Sequence, residues 1–452
     1  MEERLAIIAD DFTGAADAGV QFATRGRMCA LVTTAASVAS DTGWAEVVAF
    51  DAESRSLSRE AAAHAVRSAV AALRAMGFDR FYKKIDSTLR GNLGAEIDAL
   101  MEEAECELAL VAPSAPRNLR TVVEGRCYVA GRPLAETEYA AGSGDEDASS
   151  VAAIIARQSR RPVASIVFSV VRQGAESLAE RIAALRREGT EIVVVDATTI
   201  EDLAIVADAA RGRGASGPAR PLLCVGSSGL AEAVAAAGAL ASLGAPAAAN
   251  TPPFFPQGPA HDGRQPAARP DLPSLAKEGP ILFLVGSRSA VARGQAEELA
   301  RAGGVFETWV NPWTAASSHG KEVERIAGEV AGRGESSHVL VRVGAATIGA
   351  DRQLGSGEKR IASLLAEVAR ALLAAESFGL VVATGGDTAV AAAAALELSA
   401  LRLHGELLPG VVVASASSLR LRRPITLVTK AGGFGEPDAL RRIAASWADM
   451  VP

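Results

Sequence analysis

At 452 residues the chain is too long for one compact core, so two domains are expected. With 49% hydrophobic and 22% charged residues it reads as a folded globular protein, and 4% aromatics leave the core to Ala, Val, Leu and Ile. A formal net charge of −7, with no Lys/Arg-rich run, argues against a nucleic-acid partner. No apolar run approaches the ~20 residues of a membrane helix, so no membrane partner is expected either. Four scattered cysteines, Cys29, Cys106, Cys127 and Cys224, show no C-x-x-C spacing and fit reduced thiols. The acidic residues that follow the first short apolar run rule out a signal peptide, and a soluble cytoplasmic protein is the expectation.

In chain order the strands are predicted at Leu5–Ala9, Glu46–Phe50, Arg80–Ile85, Leu108–Ala112, Ser165–Val170, Glu191–Asp196 and Pro221–Gly226. A second set follows at Pro280–Gly286, His338–Val343, Leu380–Thr384 and Pro424–Thr429. Helical patterns such as Arg59–Met76, Ala175–Arg187 and Ile361–Ala375 lie between them. This alternation predicts an α/β fold of mainly parallel sheets flanked by helices, one in each of two domains. A proline cluster without periodicity marks residues 246–278 as a linker or surface excursion, with domains at 1–245 and 279–452.

Ligands of open α/β sheets bind beyond the carboxyl ends of the strands, and five strand ends carry polar residues that a fold alone does not need. Asp10 and Asp11 follow the first strand. One of them can cap the helix that opens at Thr13-Gly14, but two adjacent carboxylates call for a ligand, a metal or a basic partner. After the strand at Arg80–Ile85, alternation puts Lys84 and Asp86 on one face and Lys83 on the other, with Arg90 close behind. Ser87 or Thr88 can cap the next helix. Together these residues suit a small polyol acid, whose carboxylate takes cations and whose hydroxyls donate to aspartates. Asp51 and Arg55 follow the strand Glu46–Phe50, as pocket residues or as a surface turn.

Two glycine-rich strand ends lie in the second half. Gly385, Gly386, Asp387 and Thr388 precede an alanine-rich helix, and Gly432 belongs to a glycine-dense loop after Lys430. Such glycines let backbone N–H groups approach a phosphate at a helix N-terminus, although each loop also reads as an ordinary turn in which Asp387 or Thr388 caps the helix. Ser287 and Arg288 in Gly286-Ser287-Arg288-Ser289 can join the same site, and Lys430 or Arg288 can neutralise phosphate charge. The G-x-G-x-x-G at Gly212–Gly217 follows a helix rather than a strand, which weakens the alternative of an NAD-dependent oxidoreductase. Walker-A, G-x-S-x-G and His-pair metal motifs are missing.

The segments IADDFTGAADAG, DAESR, KKIDSTLRGNLGAEI, VGSSGL, VGSRS, ATGGDTA and TKAGGFGEPDAL stand in the same order as in the four-carbon acid sugar kinases, and the chain resembles that family along nearly its whole length. The resemblance implies an N-terminal acid-sugar domain, a C-terminal ATP domain and an active site in the cleft between them. It also implies phosphorylation of the terminal hydroxyl of threonate, erythronate or an oxo-tetronate, with ATP and Mg2+ as cofactors. By position, Asp10 and Asp11 are the implied catalytic pair, orienting hydroxyls, with one of them taking the attacking hydroxyl's proton. Arg55, Lys84, Asp86 and Arg90 are the implied sugar contacts, and Ser287, Gly385, Gly386, Asp387, Thr388 and Gly432 the implied nucleotide contacts. No metal ligand set is assigned, and a homodimer is the candidate assembly. A sugar-acid sensor without catalysis is the non-enzymatic alternative. It rests on departures from the family pattern between Ala112 and Ala140: Leu119 in place of a glycine, Val122 of a threonine and Arg126 of a histidine, with an acidic residue and His-Pro missing after Thr137-Glu-Tyr139.

Overall fold

The computed structural model describes residues 4–140, 147–211, 222–238, 279–287, 289–311, 318–334, 338–343 and 357–450. The expected linker 246–278, Arg288 and the glycine motif at 212–217 lie outside them.

Fifteen strands form one continuous sheet. In spatial order the first half runs Cys29–Val32, Val47–Asp51, Leu5–Ala9, Arg80–Lys84, Leu223–Gly226, Ala109–Ala112, Ile192–Val195, Val163–Ile166, all parallel. The second half runs Val305–Val310, His338–Val343, Ile281–Val285, Leu380–Thr384, Arg423–Lys430, again parallel. An antiparallel hairpin, Leu401–Leu408 with Val411–Ser418, joins them: its first strand pairs with Cys29–Val32, its second with Arg423–Lys430. Two register shifts interrupt the hairpin, the kind of irregularity that bends a strand and re-aims its neighbours.

The central strands are apolar runs because helices cover both their faces; all of Ile281–Val285 and Leu380–Thr384 is buried. Helices begin where a side chain can take an orphan N–H. Ser58 caps Arg59–Ala75, and Thr199 with Asp202 forms a capping box on Ile200–Ala210.

The two-domain α/β expectation holds, with the two sheets fused edge to edge. Most predicted strands lie within two residues of their places. The run Ser165–Val170 does not: the strand is Val163–Ile166, and Phe168–Val171 is a helical turn whose first N–H, at Phe168, donates to Asp196 Oδ2 at 3.0 Å. Cys29–Val32, Val305–Val310, the joining hairpin and a separate three-stranded antiparallel sheet at residues 120–133 were not anticipated.

Both halves have a topological switch point, where chain order reverses across the sheet. In the first it lies between Leu5–Ala9 and Arg80–Lys84, in the second between Ile281–Val285 and Leu380–Thr384.

Candidate active site

At the first switch point Asp10 and Asp11 leave the strand Leu5–Ala9. Asp11 caps the helix Phe12–Ala23, its Oδ1 accepting from the Gly14 N–H at 2.9 Å. Arg55 ties the pair together. Its Nε and Nη2 donate to the two oxygens of Asp10 at 2.7 and 3.1 Å, and its Nη1 donates to Asp11 Oδ2 at 2.8 Å. Thr13 Oγ1 donates to the same Asp11 oxygen at 3.0 Å. Burial pushes the Asp10 carboxyl up, but Arg55, with Lys83 and Lys84, outweighs it and holds Asp10 below the usual carboxylate range.

Strand alternation separates the two lysines as expected. Lys83 turns into the protein, fully buried, and pairs with Glu96 at 2.8 Å. Lys84 turns to the cleft, where its Nζ donates to the Ile85 carbonyl at 3.0 Å. Gly14 makes room for it: a β-carbon there would stand 2.9 Å from Lys84 Nζ. Arg90 Nε and Nη2 grip Asp86 at 2.6 and 3.3 Å, and Thr88 Oγ1 donates to Asp86 at 2.5 Å. Burial raises the Asp86 carboxyl, but Arg55 and Arg90 overcome this and leave it far below the ordinary range. Neither Ser87 nor Thr88 caps the following helix. Leu93–Glu103 has Asn92, four residues past Thr88, at its N-cap without a cap bond of its own, and the Gly94 N–H donates instead to Gln158 Oε1 at 3.0 Å.

At the second switch point three loops pack around Ser287. A β-carbon at Gly432 would stand 2.0 Å from Ser287 Oγ, and one at Gly385 3.4 Å from Ser287 Cβ. Gly385, at φ +101°, precedes the helix Gly386–Ala395, with Asp387 and Thr388 inside its first turn. Asp387 and Thr388 therefore lie past the N-cap position, which Gly385 fills without a side-chain cap, and a helix N-terminus of this kind suits a phosphate. Ser289 caps Ala290–Ala302 and donates to the Gly432 carbonyl at 2.7 Å. Lys430 is not turned toward a phosphate: buried, it donates to the Ala431 and Phe434 carbonyls at 2.8 Å each and braces the glycine loop, with its pKa lowered by burial to about 8.

All the predicted sugar-side and nucleotide-side residues border one cleft of about 510 Å³. The halves touch inside it: a β-carbon at Gly386 would lie 3.5 Å from Asp11 Oδ2 and 3.6 Å from Thr13 Oγ1. The sequence reading gave no role to Asp17, Ser227, Ser228, Tyr139 or Phe434, which also line it. Arg120 lies over the Phe434 ring at 4.7 Å and the Tyr139 ring at 5.9 Å, so the segment that departs from the family pattern leans on the glycine loop. Two of the chain's three tyrosines, Tyr128 and Tyr139, fall within that segment, which was the available signal.

Residues 5–234 match the family model described as a sugar-binding N-terminal domain, and residues 282–440 match a nucleotide-binding C-terminal domain. A D-threonate kinase from Cupriavidus necator is 34% identical over 445 residues, covering 96% of this chain and 95% of its own. The chain belongs to the four-carbon acid sugar kinase family. A 3-oxo-tetronate kinase of the same organism is 31% identical, covering 97% of each chain, so overall identity does not separate the two substrates for this family member. A solved structure from Salmonella typhimurium LT2, described as a putative tRNA synthase, 21% identical and aligned over 97% of this chain and 98% of its own, has the same fold at a TM-score of 0.75.

Proposed function

We propose that this chain is an ATP-dependent kinase that transfers the γ-phosphoryl group to the terminal hydroxyl of a four-carbon acid sugar. The observation that carries the reading is the opposition, within one cleft, of an Asp/Arg/Lys pocket and a glycine-lined helix N-terminus. The first recognises a hydroxy acid; the second recognises a phosphate. In this reading residues 1–245 hold the sugar and residues 279–452 the nucleotide, separated by residues 246–278.

Phosphoryl transfer asks the protein for in-line positioning and for neutralisation of developing charge. Arg90, whose side chain is 46% exposed while Asp86 fixes its orientation, takes the substrate carboxylate with Arg55. Asp10 and Asp11 accept from the sugar hydroxyls and hold Arg55 in register. Lys84, beside the first turn of Phe12–Ala23, meets the incoming phosphoryl charge. Ser287, Gly385, Gly386, Thr388 and Gly432 cradle the phosphates. A groove of about 540 Å³ continues from Asp387 and Val390 along the helix Gly386–Ala395 and accommodates the nucleoside end.

No group of three or more ligating side chains occurs among the described residues. That fits Mg2+ delivered on ATP, which needs one or two carboxylates beside phosphate and water oxygens. Asp11 and Asp387, the carboxylates at the mouth of the glycine loops, are the residues to hold it, and its chemistry is neutralisation of the phosphate oxygens.

The test is ADP release with Mg-ATP across D- and L-threonate, D- and L-erythronate and their 2- and 3-oxo forms. Turnover of one of them is expected; ATP binding without turnover of any would leave a sensor in place of a kinase. Asp11→Asn should lower kcat at least tenfold with little change in melting temperature. An unchanged kcat would remove Asp11 from the mechanism.

A further inference from the structure

Three of the cleft's carboxylates are already spoken for. Asp10 and Asp86 lie under arginine forks that hold them below the usual carboxylate range, and both oxygens of Asp11 are engaged by the Gly14 N–H, Thr13 and Arg55. A group so held is a weak proton acceptor, because accepting a proton means giving up a charge-assisted bond. Asp51 sits almost sealed at 1% exposure, one oxygen taken by the Glu53 N–H.

Asp17 differs. It lies one turn beyond Thr13 on the same face of Phe12–Ala23 and lines the same cleft as Asp11 and Gly386. It takes a hydrogen bond from Ser228 and has no cation within ion-pair distance among the described residues. Its Oδ1 approaches the Gly410 turn of the joining hairpin, 3.9 Å from where a β-carbon would stand; Phe434 of the glycine loop is 3.6 Å from that same point. The carboxylate therefore stands between the sugar pocket and the nucleotide loops.

We propose that Asp17 is the catalytic base that takes the proton from the attacking sugar hydroxyl. This rests on the kinase reading and deepens it. The hydroxyl oxygen forms a bond to the γ-phosphorus, and the bond from that phosphorus to the β,γ-bridging oxygen breaks. The leaving oxygen keeps the electron pair as ADP, and the hydroxyl proton passes to Asp17 Oδ and then to water. Three groups around Asp17 set its basicity beyond the Ser228 hydroxyl. Lys84 ends the strand Arg80–Lys84, Asp11 lies nearly two turns earlier, and Glu232 is on the helix Ser228–Gly238. Glu406 on the hairpin is a fourth, with its own carboxyl pushed up by burial to about 8, so it adds little charge at neutral pH. Burial raises the Asp17 carboxyl, and Lys84 only partly offsets this. That makes it the stronger base beside Asp10 and Asp86 and places its protonation, with loss of turnover, on the acid side above the ordinary carboxylate range.

The experiment is the pH profile of kcat for wild type and Asp17→Asn on whichever acid sugar wild type turns over, with ATP binding followed by thermal shift. The expected result is a kcat about 10²-fold lower or worse, KM values for both substrates within threefold of wild type, and loss of the acid limb from the residual activity. A kcat within tenfold of wild type overturns the assignment, as does a lower kcat that keeps the limb at the same pH, or one that comes with lost ATP binding. If Asp17→Asn does not fold, Asp17→Ser is read by the same criteria. Wild type inactive on every acid sugar overturns the kinase reading and this assignment with it. Turnover by wild type alongside an unimpaired variant overturns Asp17 alone.

Discussion

Leu119 holds its backbone at φ +60° and ψ +33°, the left-handed region, with its side chain 63% exposed. The family pattern has glycine here, which meets no β-carbon clash in that region, whereas leucine pays ~1 kcal/mol. Leu119→Gly should therefore raise the urea midpoint by an amount worth ~0.5–1 kcal/mol, and a lower midpoint would refute the strain. A second test concerns the inward lysine. Lys83 and Glu96 form a pair with 0% and 2% side-chain exposure, and burial holds the Glu96 carboxyl above its ordinary value despite the cation. Lys83→Met strands that carboxylate in the core and should cost ~3–5 kcal/mol in denaturant unfolding, most of it recovered in the double variant Lys83→Met/Glu96→Leu. Failure of the double variant to recover would mean that Lys83 acts through another partner. Alternation alone told the two lysines apart at this scale. It could not say that Arg55 would silence Asp10, because the two lie on different strand ends and meet only through pairing of Leu5–Ala9 with Val47–Asp51.

At the scale of elements, the proposed nucleotide site is three loops closed on Ser287. Gly432→Ala puts a β-carbon 2.0 Å from Ser287 Oγ and must displace the loop. It should raise the KM for ATP tenfold or more while the acid-sugar KM stays within threefold, measured under saturating co-substrate; equal rises in both would mean a general collapse of the cleft. The strands that escaped the sequence reading show what pattern can and cannot carry. Pro409-Gly410, between the runs Leu401–Leu408 and Val411–Ser418, is a hairpin turn signal that was there to be read, with Gly410 at φ +73°. The turns at Glu124-Gly125 and Ala130-Gly131, all four residues at positive φ, are likewise local. Cys29–Val32 is only four residues and buried throughout, so neither alternation nor length separates it from a buried helix segment.

One fifteen-stranded sheet spans both halves, and in large part they share one core: a single cluster of buried side chains includes Ile7 and Val195 of the first half and Leu284 and Leu427 of the second. Shared burial of this kind couples the halves, so calorimetry should show one cooperative transition with calorimetric and van't Hoff enthalpies agreeing. Two resolved transitions would show that the hairpin joins halves that fold independently.

By itself the sequence determined the βαβ rhythm, the two halves and the polar strand ends that border the cleft, because hydrophobic periodicity and turn chemistry are local. Only the tertiary structure decided that Asp11 would meet Gly386, that arginine forks would occupy Asp10 and Asp86 while Asp17 stayed clear of them, and that two sheets would become one. Each of those depends on strand order, register and a bent antiparallel junction, which bring together groups that no spacing along the chain connects.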